Sequence, residues 1–588
     1  AEVNAARVSA AEGYTIADQW EETLALRREH TSLIHAGDEQ FPQQSLSFLE
    51  VEALANQVAH WALGRGLRRG DTAALFMENR PQFVLAWLGF AKIGMMTAWI
   101  NNTIKLQPLV HSISVASAKA LVFGAELADV VEAVHRDLAQ AGVQSVCLGG
   151  PASFCPSMDE DLASQPRTAP PRSGRSGIRY GETMCYIYTS GTTGLPKAAI
   201  IYHQTYIGTG QGFGPLLSPD DVLYGSGMPL YHSAAGMIGI SLMMVRGLSY
   251  VVRRKFSARA WLADVREFKA TAAQYIGELA RYVLALPEQP DDAENTLRLC
   301  IGNGMRPEYW EKFQVRFAID LVAEFYGATE NTGGFANFIL LENLRKGDRR
   351  GLGSVGRLAD PRVVFARYDV DADALVRDAG GFCVRAAVGE PGEMLVREIP
   401  QNSFRGYTDP AASKKKLLQD VFEKGDLYLR TGDLLKVDAK GWVYFVDRIG
   451  DTFRWKGENV STAEVATELA KFEGVEEVNV YGVQIPNTED GRAGMCAMVM
   501  QGASEEKLVA FHRHAQASLP SYAIPVFLRI LPAMQITGTF KHQKVQLRNE
   551  GFDPSKVADP VYYLEGGRYT LVDSALYERI VAGPRSRL

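Results

Sequence analysis

The sequence predicts an α/β fold with a large N-terminal domain of mostly parallel sheets and helices, a small β-rich subdomain, and a small α+β C-terminal domain. Short apolar runs alternate with helical segments over residues 47–148 and 183–340, which is typical of parallel sheets. From about 351 to 446 the runs become shorter and glycine-rich turns separate them, which indicates the β-rich subdomain. Beyond 450, a capped helix is followed by two strand-like runs and a further helix.

The first helix of the N-terminal domain is predicted over 47–64, because its apolar residues recur at helical spacing on one face, namely Val51, Leu54, Val58 and Trp61. A turn at Gly70-Asp71 leads into a strand over 72–76, and a second helix begins near Pro81. The further strand-like runs of this domain are 121–123, 145–148, 184–187, 198–201, 299–301 and 320–324.

The C-terminal elements begin at a capping box, Ser461-Thr-Ala-Glu464, which starts a helix with Val465, Leu469 and Phe472 on its apolar face. Strands are predicted over 478–483 and 495–499, followed by a helix over 505–518. About 140 residues are an ordinary size for a domain of this kind.

Composition limits the function classes. The chain has 588 residues, 46% hydrophobic and 22% charged, which are ordinary globular values for several domains. The net charge of −6 argues against nucleic acid as a partner. The six cysteines are widely spread without a C-x-x-C pair, so we expect no zinc site, no disulfide framework and a reducing compartment.

Two apolar stretches, 83–100 and 234–252, approach the length of a membrane span. Lys92 interrupts the first and Arg246 the second, and a charge inside a span costs about 2.5–3.5 kcal/mol. We therefore expect each stretch to be a buried helix that runs into a buried strand.

The segment Tyr188-Thr-Ser-Gly-Thr-Thr-Gly-Leu-Pro-Lys197 lies between two of the apolar runs. Its glycines allow backbone N–H groups to approach an anion, its hydroxyls donate hydrogen bonds, and Lys197 adds a positive charge. The spacing differs from that of the nucleoside-triphosphatase P-loop, so the pattern predicts another kind of phosphate-binding loop. The alternative is a glycine- and threonine-rich surface hairpin.

This decapeptide resembles the signature loop of the adenylate-forming superfamily, which includes acyl-CoA synthetases, adenylation domains and luciferases. Four further segments resemble the fatty-acid transport protein and very-long-chain acyl-CoA synthetase branch, and the likeness covers about residues 40–565. The segments are 302–307, 428–435, 447–462 and 537–544.

The resemblance implies ATP-dependent activation of long- or very-long-chain fatty acids to acyl-CoA, through an acyl-adenylate that releases pyrophosphate. ATP, Mg²⁺ and coenzyme A are the expected cofactor and co-substrates. The alternatives are a ligase for bile acids or other carboxylates, a transporter acting by vectorial acylation, a carrier-loading adenylation domain and a luciferase-like monooxygenase.

The resemblance also assigns the nucleotide site. Tyr326 would stack on adenine, Thr329 would contact phosphate, and Glu330 would hold Mg²⁺, with Thr192 as a second metal contact. A solvated Glu330 at a capped strand end is the alternative. The other implied nucleotide and CoA contacts are Thr189, Ser190, Gly191, Thr193, Gly194, Lys197, Gly302, Asn303, Gly304, Gly327, Asp433, Arg448, Lys456 and Gly457.

Besides Thr329 and Glu330, two further side chains are implied in catalysis. Lys541 would bridge the substrate carboxylate and the α-phosphate, although Lys544 is a rival because two residues separate Gly538 from Lys541. His232 matches a family position near the acyl entrance and the attacking carboxylate; a structural histidine is the alternative.

The implied domains are 1–446, a hinge at 447–450 with Gly450 at or beside the pivot, and a mobile domain over 451–588. Rotation of the mobile domain would first present Lys541 and then the pantetheine-tunnel segment at Lys456-Gly457.

Several expectations concern location and assembly. The last residues, Ser586-Arg-Leu588, resemble a peroxisomal signal, whereas a bacterial protein would lie in the cytoplasm or at the cytoplasmic membrane face. A frayed basic tail is the alternative reading of these residues. Relatives often carry an N-terminal membrane segment, so we expect a trimmed N-terminus, together with peripheral membrane association and a homodimer.

Overall fold

The computed structural model describes residues 13–189, 195–328, 333–370, 372–399, 404–455, 458–486, 491–534 and 544–582. The side chains of Asn459 and Val545 are also outside the description. Within these residues the chain forms two compact units. The first contains residues up to 353 together with 404–415, and the second contains 354–399 and the residues after 415.

The first unit contains two mostly parallel sheets. Its strands are β1 (Thr31–His35), β2 (Gln44–Ser47), β3 (Thr72–Phe76), β4 (Met96–Trp99), β5 (Ala118–Gly124), β6 (Gln144–Leu148), β7 (Thr183–Thr189), β8 (Lys197–Tyr202), β9 (Val222–Tyr224), β10 (Ser249–Val252), β11 (Ala272–Ile276), β12 (Leu299–Asn303), β13 (Leu321–Tyr326) and β14 (Phe335–Leu340). One sheet has the order β6-β5-β3-β4-β7-β8, and the other has the order β14-β13-β12-β11-β9-β10-β1-β2. Antiparallel pairs occur where β8, β14 and β2 join these sheets, and the other pairs are parallel.

The first unit also contains helices, most of which connect the parallel strands, as parallel pairing requires. They are α1 (Ile16–Arg27), α2 (Phe48–Gly64), α3 (Pro81–Lys92), α4 (Gln107–Val115), α5 (Ala128–Glu132), α6 (His135–Gln140), α7 (Met158–Ala163), α8 (His203–Phe213), α9 (Ile240–Arg246), α10 (Ala258–Glu267), α11 (Gly277–Leu284), α12 (Pro307–Arg316), α13 (Leu341–Arg345) and α14 (Pro410–Lys415). Short 3₁₀ turns lie at Ala125–Leu127, Arg172–Gly174 and Gly214–Leu216, and a π-helix spans Ser233–Gly239.

The second unit contains an antiparallel sheet, a two-stranded ribbon and a five-stranded sheet. Its strands are β15 (Gly356–Arg357), β16 (Val363–Asp369), β17 (Ala374–Leu375), β18 (Gly392–Arg397), β19 (Leu417–Gln419), β20 (Leu427–Val437), β21 (Trp442–Arg448), β22 (Phe453–Trp455), β23 (Glu458–Val460), β24 (Val475–Gln484), β25 (Arg492–Met500), β26 (Phe527–Ile530), β27 (Val561–Glu565) and β28 (Arg568–Leu571). Its helices are α15 (Thr462–Leu469), α16 (Glu505–Ser518), α17 (Lys544–Glu550) and α18 (Ser574–Val581).

The predicted elements are confirmed, because periodicity and capping signals are strong along this chain, although the helix that begins after Ser461 ends at Leu469, before Phe472. Ser47 caps α2 through a capping box, and Ser461 caps α15 by accepting a hydrogen bond from the Glu464 N–H. Both long apolar stretches are a helix followed by a strand: α3 and β4, and α9 and β10. Among the residues described, no helix combines the length and the hydropathy needed to cross a bilayer.

The segment 404–415 differs from the surrounding β-rich subdomain. It lies with the first unit, where the Thr408 N–H donates to the Ala198 carbonyl at 3.1 Å and the Ile200 N–H donates to the Gly406 carbonyl. The predicted boundaries for moving domains, 446 and 447–450, concern motion and stay predictions.

Candidate active site

The phosphate-loop hairpin is formed by β7 and β8, in which Thr189 pairs with Lys197. Helix α4 holds its base, because His111 Nε2 lies 3.2 Å from the Pro196 carbonyl and the Tyr188 hydroxyl donates to the Ser112 carbonyl. The predicted contacts Ser190, Gly191, Thr192, Thr193 and Gly194 lie outside the described residues. The structure therefore confirms two strands flanking the loop and leaves its phosphate contacts as predictions.

Lys197 has an aromatic neighbour that sequence reasoning missed. Its ammonium lies 5.9 Å from the centre of the Tyr407 ring, within the range of a cation–π interaction. Tyr407 reaches this place because segment 404–408 pairs with β8, and no local pattern in the sequence indicates that pairing.

The Gly302-Asn303-Gly304 segment ends β12 and turns over the carboxyl edge of its sheet. Gly304 has a φ of +75°, which favours glycine, and an added Cβ on Gly302 would come within 2.1 Å of the Tyr275 carbonyl oxygen. Gly277 is equally restricted, because its Cβ would lie 1.8 Å from the Gly304 carbonyl oxygen. The loop is therefore packed backbone against backbone.

A buried carboxylate, Glu324, lies beneath this loop. One oxygen accepts from the Gly304 N–H at 2.6 Å and the Met305 N–H at 3.3 Å, and the other accepts from the Tyr275 hydroxyl at 2.5 Å. Burial raises the pKa of Glu324 to about 8, against the lowering effect of these hydrogen bonds. In the sequence, the only indication of this role is that Glu324 is a carboxylate within an apolar strand.

Tyr326 is the last residue of β13, the strand next to β12, and Gly327 follows it. The Tyr326 ring is half-buried, with its centre 5.9 Å from that of Phe335. Thr329 and Glu330 lie outside the described residues. Within the described part of the chain, no group of three or more His, Cys, Asp or Glu side chains could hold a metal ion.

His232 precedes the π-helix and caps it, because its Nδ1 accepts a hydrogen bond from the Ala234 N–H at 3.4 Å. Buried Asn79 fixes the segment before it, donating to the Met228 carbonyl and accepting from the Leu230 N–H, both at 2.8 Å. Gln274 donates to the Ala234 carbonyl at 2.8 Å. His232 is thus held at a π-helix, an irregularity that is frequent at functional sites.

In the second unit, Asp433 and Arg448 are directly paired across β20 and β21. Arg448 Nε lies 3.8 Å from Asp433 Oδ1. The structure therefore brings the two predicted ribose contacts together, on strands joined at a bulge after Leu434.

The predicted hinge, residues 447–450, includes Arg448 of this pair. Buried Asp447 accepts from the Thr462 N–H at 2.7 Å, and the Lys544 ammonium donates to the Thr462 hydroxyl at 2.7 Å and lies 3.3 Å from Asp451. Burial raises the pKa of Asp447, while the Lys544 charge opposes that shift. Gly450 has a φ of +89° in the turn that follows β21.

Lys456, Gly457 and Lys541 lie outside the described residues. Lys544, the alternative to Lys541 as the catalytic lysine, contacts Thr462 and Asp451, and these contacts are consistent with a structural role.

This chain belongs to the AMP-binding enzyme family, whose model matches residues 20–408. Within it, the chain belongs to the fatty-acid transport protein and very-long-chain acyl-CoA synthetase family. It is 41% identical to long-chain fatty acid transport protein 2 of Rattus norvegicus over 90% of this chain and 86% of that protein. It is 37% identical to the medium/long-chain-fatty-acid–CoA ligase FadD6 of Mycobacterium tuberculosis, over 90% of this chain and 85% of the ligase.

Solved structures agree on the fold. The anthranilate CoA ligase AuaEII in complex with anthranoyl-AMP has a TM-score of 0.76 and 23% identity, covering 92% of this chain and 98% of that chain. A Mycobacterium tuberculosis fatty acyl CoA synthetase has a TM-score of 0.62 and 22% identity, covering 91% of this chain and 98% of that chain. These likenesses confirm the predicted adenylate-forming fold.

Proposed function

We propose that this protein activates long- or very-long-chain fatty acids to acyl-CoA in two half-reactions that share one nucleotide site. The observation that carries the proposal is its near-full-length similarity to a fatty acid transport protein and a fatty-acid–CoA ligase. The class of enzyme, an AMP-forming acyl-CoA ligase, follows from the family.

In the first half-reaction, an oxygen of the fatty-acid carboxylate attacks the α-phosphorus of ATP. The bond from that phosphorus to the bridging oxygen breaks, and pyrophosphate leaves. In the second, the sulfur of coenzyme A attacks the acyl carbonyl carbon. The bond to the AMP oxygen breaks, AMP leaves, and the thiol proton passes to solvent.

The proposal places the phosphates at the β7–β8 hairpin, adenine between the Gly302–Gly304 segment and Tyr326, and the ribose hydroxyls at Asp433 and Arg448. Three observations support these roles: the hairpin flanks the loop, β12 and β13 are neighbours, and Asp433 pairs with Arg448. Mg²⁺ bound with ATP would offset phosphate charge, with Glu330 and Thr192 as its predicted ligands.

Lys541 would stabilise charge that develops at the α-phosphate, because it would lie between that phosphate and the carboxylate. His232 would lie at the acyl entrance. The Lys456-Gly457 segment would then replace Lys541 for the attack of coenzyme A, through rotation about the hinge.

The direct test incubates the purified protein with a mixed pool of acids, ATP, Mg²⁺ and coenzyme A, and identifies the acyl-CoA products by mass spectrometry. We expect long-chain acyl-CoA, with AMP and pyrophosphate formed in equal amounts. Products from bile acids or short aromatic acids alone would contradict the proposed substrate class. Loss of fatty acid without ATP or coenzyme A would contradict the reaction.

A second candidate is fatty acid uptake coupled to activation, since the rat relative is named a transport protein. The expected measurement uses phospholipid vesicles loaded with a fluorescent fatty acid. Extraction that requires both ATP and coenzyme A would support vectorial acylation. Extraction without them would favour a carrier, and co-sedimentation with the vesicles would test the proposed membrane association.

A further inference from the structure

The carboxyl edge of the larger sheet contains a row of three residues, of which only the central one, Gly302, belongs to a motif named above. Tyr275 on β11 pairs with Gly302 on β12, and Gly302 pairs with Glu324 on β13. Neighbouring strands lie about 4.8 Å apart, so Tyr275 and Glu324 start about 10 Å apart. Their side chains nevertheless meet, since the Tyr275 hydroxyl donates a hydrogen bond to a Glu324 carboxyl oxygen at 2.5 Å.

Gly302 makes this contact possible. An added Cβ on Gly302 would lie 2.6 Å from Cγ of the Tyr275 ring, so the ring lies across the bare backbone of β12. Any larger residue at 302 would displace the ring and separate the hydroxyl from Glu324. The glycine therefore permits a side-chain bridge over one strand as well as a tight turn.

Glu324, at the other end of this side-chain bridge, is bonded to the loop that follows Gly302. The second oxygen of Glu324 accepts hydrogen bonds from the backbone N–H groups of Gly304 and Met305. Glu324 is only 3% exposed, and Tyr275 is also 3% exposed, so water does not replace these bonds easily. Removing this acceptor leaves three donors without it, and two of them belong to the buried residues Tyr275 and Met305.

We propose that Glu324, braced by Tyr275, is a positioning residue that fixes the Gly302–Met305 segment for adenine binding. The inference rests on the proposed function, which places adenine against Gly302–Gly304. Because the N–H groups of Gly304 and Met305 both donate to Glu324, the backbone of the exposed Gly304 has a fixed orientation in the absence of ATP. Such preorganisation lowers the ordering cost of binding.

The test compares Glu324→Ala, which removes the acceptor, with Glu324→Gln, which keeps an amide oxygen for the two N–H groups. We expect Glu324→Ala to raise the KM for ATP roughly 10- to 100-fold, as when donors in a buried site lose their acceptor. The KM for fatty acid and kcat should change by less than about threefold. Glu324→Gln should restore most of the ATP affinity.

A second pair of variants keeps the test decisive if Glu324→Ala fails to fold. Tyr275→Phe removes only the bracing hydroxyl and should weaken ATP binding by about threefold to tenfold. Its matched control is Tyr224→Phe on β9, which also removes a hydroxyl bonded to a buried carboxylate, Asp264, but does not touch the loop. The control should leave ATP binding unchanged.

Equilibrium binding of ATP by calorimetry accompanies the kinetics, because it needs no turnover. If the wild type binds ATP but forms no acyl-CoA, the proposed function fails while this inference is still tested by binding. Unchanged ATP affinity in Tyr275→Phe, and in Glu324→Ala where it folds with only a lowered Tm, would overturn the inference and make the pair purely structural.

Discussion

The Gly302–Gly304 loop of the first unit and the predicted hinge segment of the second are both held by a buried carboxylate, but the two carboxylates have different partners. Glu324 is bonded to two backbone N–H groups and a buried hydroxyl. Asp447 bonds to the N-terminus of α15 at Thr462, and Thr462 contacts the half-buried Lys544.

This difference indicates that the first segment is held rigidly and that the second is held by contacts that can exchange. Contacts around Glu324 are desolvated and join strands of one sheet, so breaking them is costly and the loop stays in one arrangement. The Lys544 and Arg548 contacts with Asp451 are partly exposed ion pairs, which contribute little free energy and exchange readily with water. A rigid loop at the predicted adenine site and a rearrangeable predicted hinge would suit an enzyme with two half-reactions.

The largest expected effect is that of Lys541→Ala. Loss of one preorganised charge should slow adenylation roughly 10²- to 10³-fold and spare thioester formation from supplied acyl-adenylate. Pyrophosphate exchange and single-turnover thioester formation measure the two steps separately.

Lys544→Ala is the matched control for Lys541→Ala, because Lys544 is already engaged with Thr462 and Asp451. A selective adenylation defect in Lys544→Ala, with none in Lys541→Ala, would reverse the assignment and weaken the contrast between the two regions.

Gly457→Leu should have the opposite selectivity. A side chain at this position would obstruct the approach of pantetheine, and misplacement by about 1 Å can cost roughly 100-fold. Acyl-adenylate should still form while its transfer to coenzyme A slows, as measured by rapid-quench analysis with varied coenzyme A. If the coenzyme A kinetics match those of the wild type, the tunnel lies elsewhere.

Glu330→Gln tests the predicted role of Glu330 as a Mg²⁺ ligand. A neutral amide is a weaker ligand for Mg²⁺ than a carboxylate, so half-maximal pyrophosphate exchange should need about tenfold more Mg²⁺. The Mg²⁺ titration of Glu342→Gln, an exposed helix glutamate, serves as the control. A titration like that of the wild type would return Glu330 to a solvated role.

A pH dependence of stability is also expected. Because the pKa of Glu324 is raised to about 8 in the folded protein, the native state keeps a proton that the unfolded chain loses near its ordinary pKa. The free energy of unfolding should therefore fall as pH rises from about 4.5 to about 8. Urea unfolding at several pH values should show a shallower decline for Glu324→Gln. Equal slopes would mean that Glu324 ionises normally.

The amino-acid sequence by itself determined the elements and the class of protein. Helical spacing over 48–64, the caps at Ser47 and Ser461 and the apolar runs are local signals, so they act within a few residues. The glycine- and hydroxyl-rich segment before Lys197 similarly indicates phosphate binding through its own composition, and the resemblance it supports is confirmed by the family match.

Only the tertiary structure decided which distant residues support the site. Tyr275 and Glu324 are 49 residues apart in the chain, and they meet because strand order places them on either side of a glycine. Tyr407 reaches Lys197 because its segment pairs with β8. Such contacts depend on sheet order and on the burial of polar groups, which arise from packing of the whole chain and leave no periodic pattern.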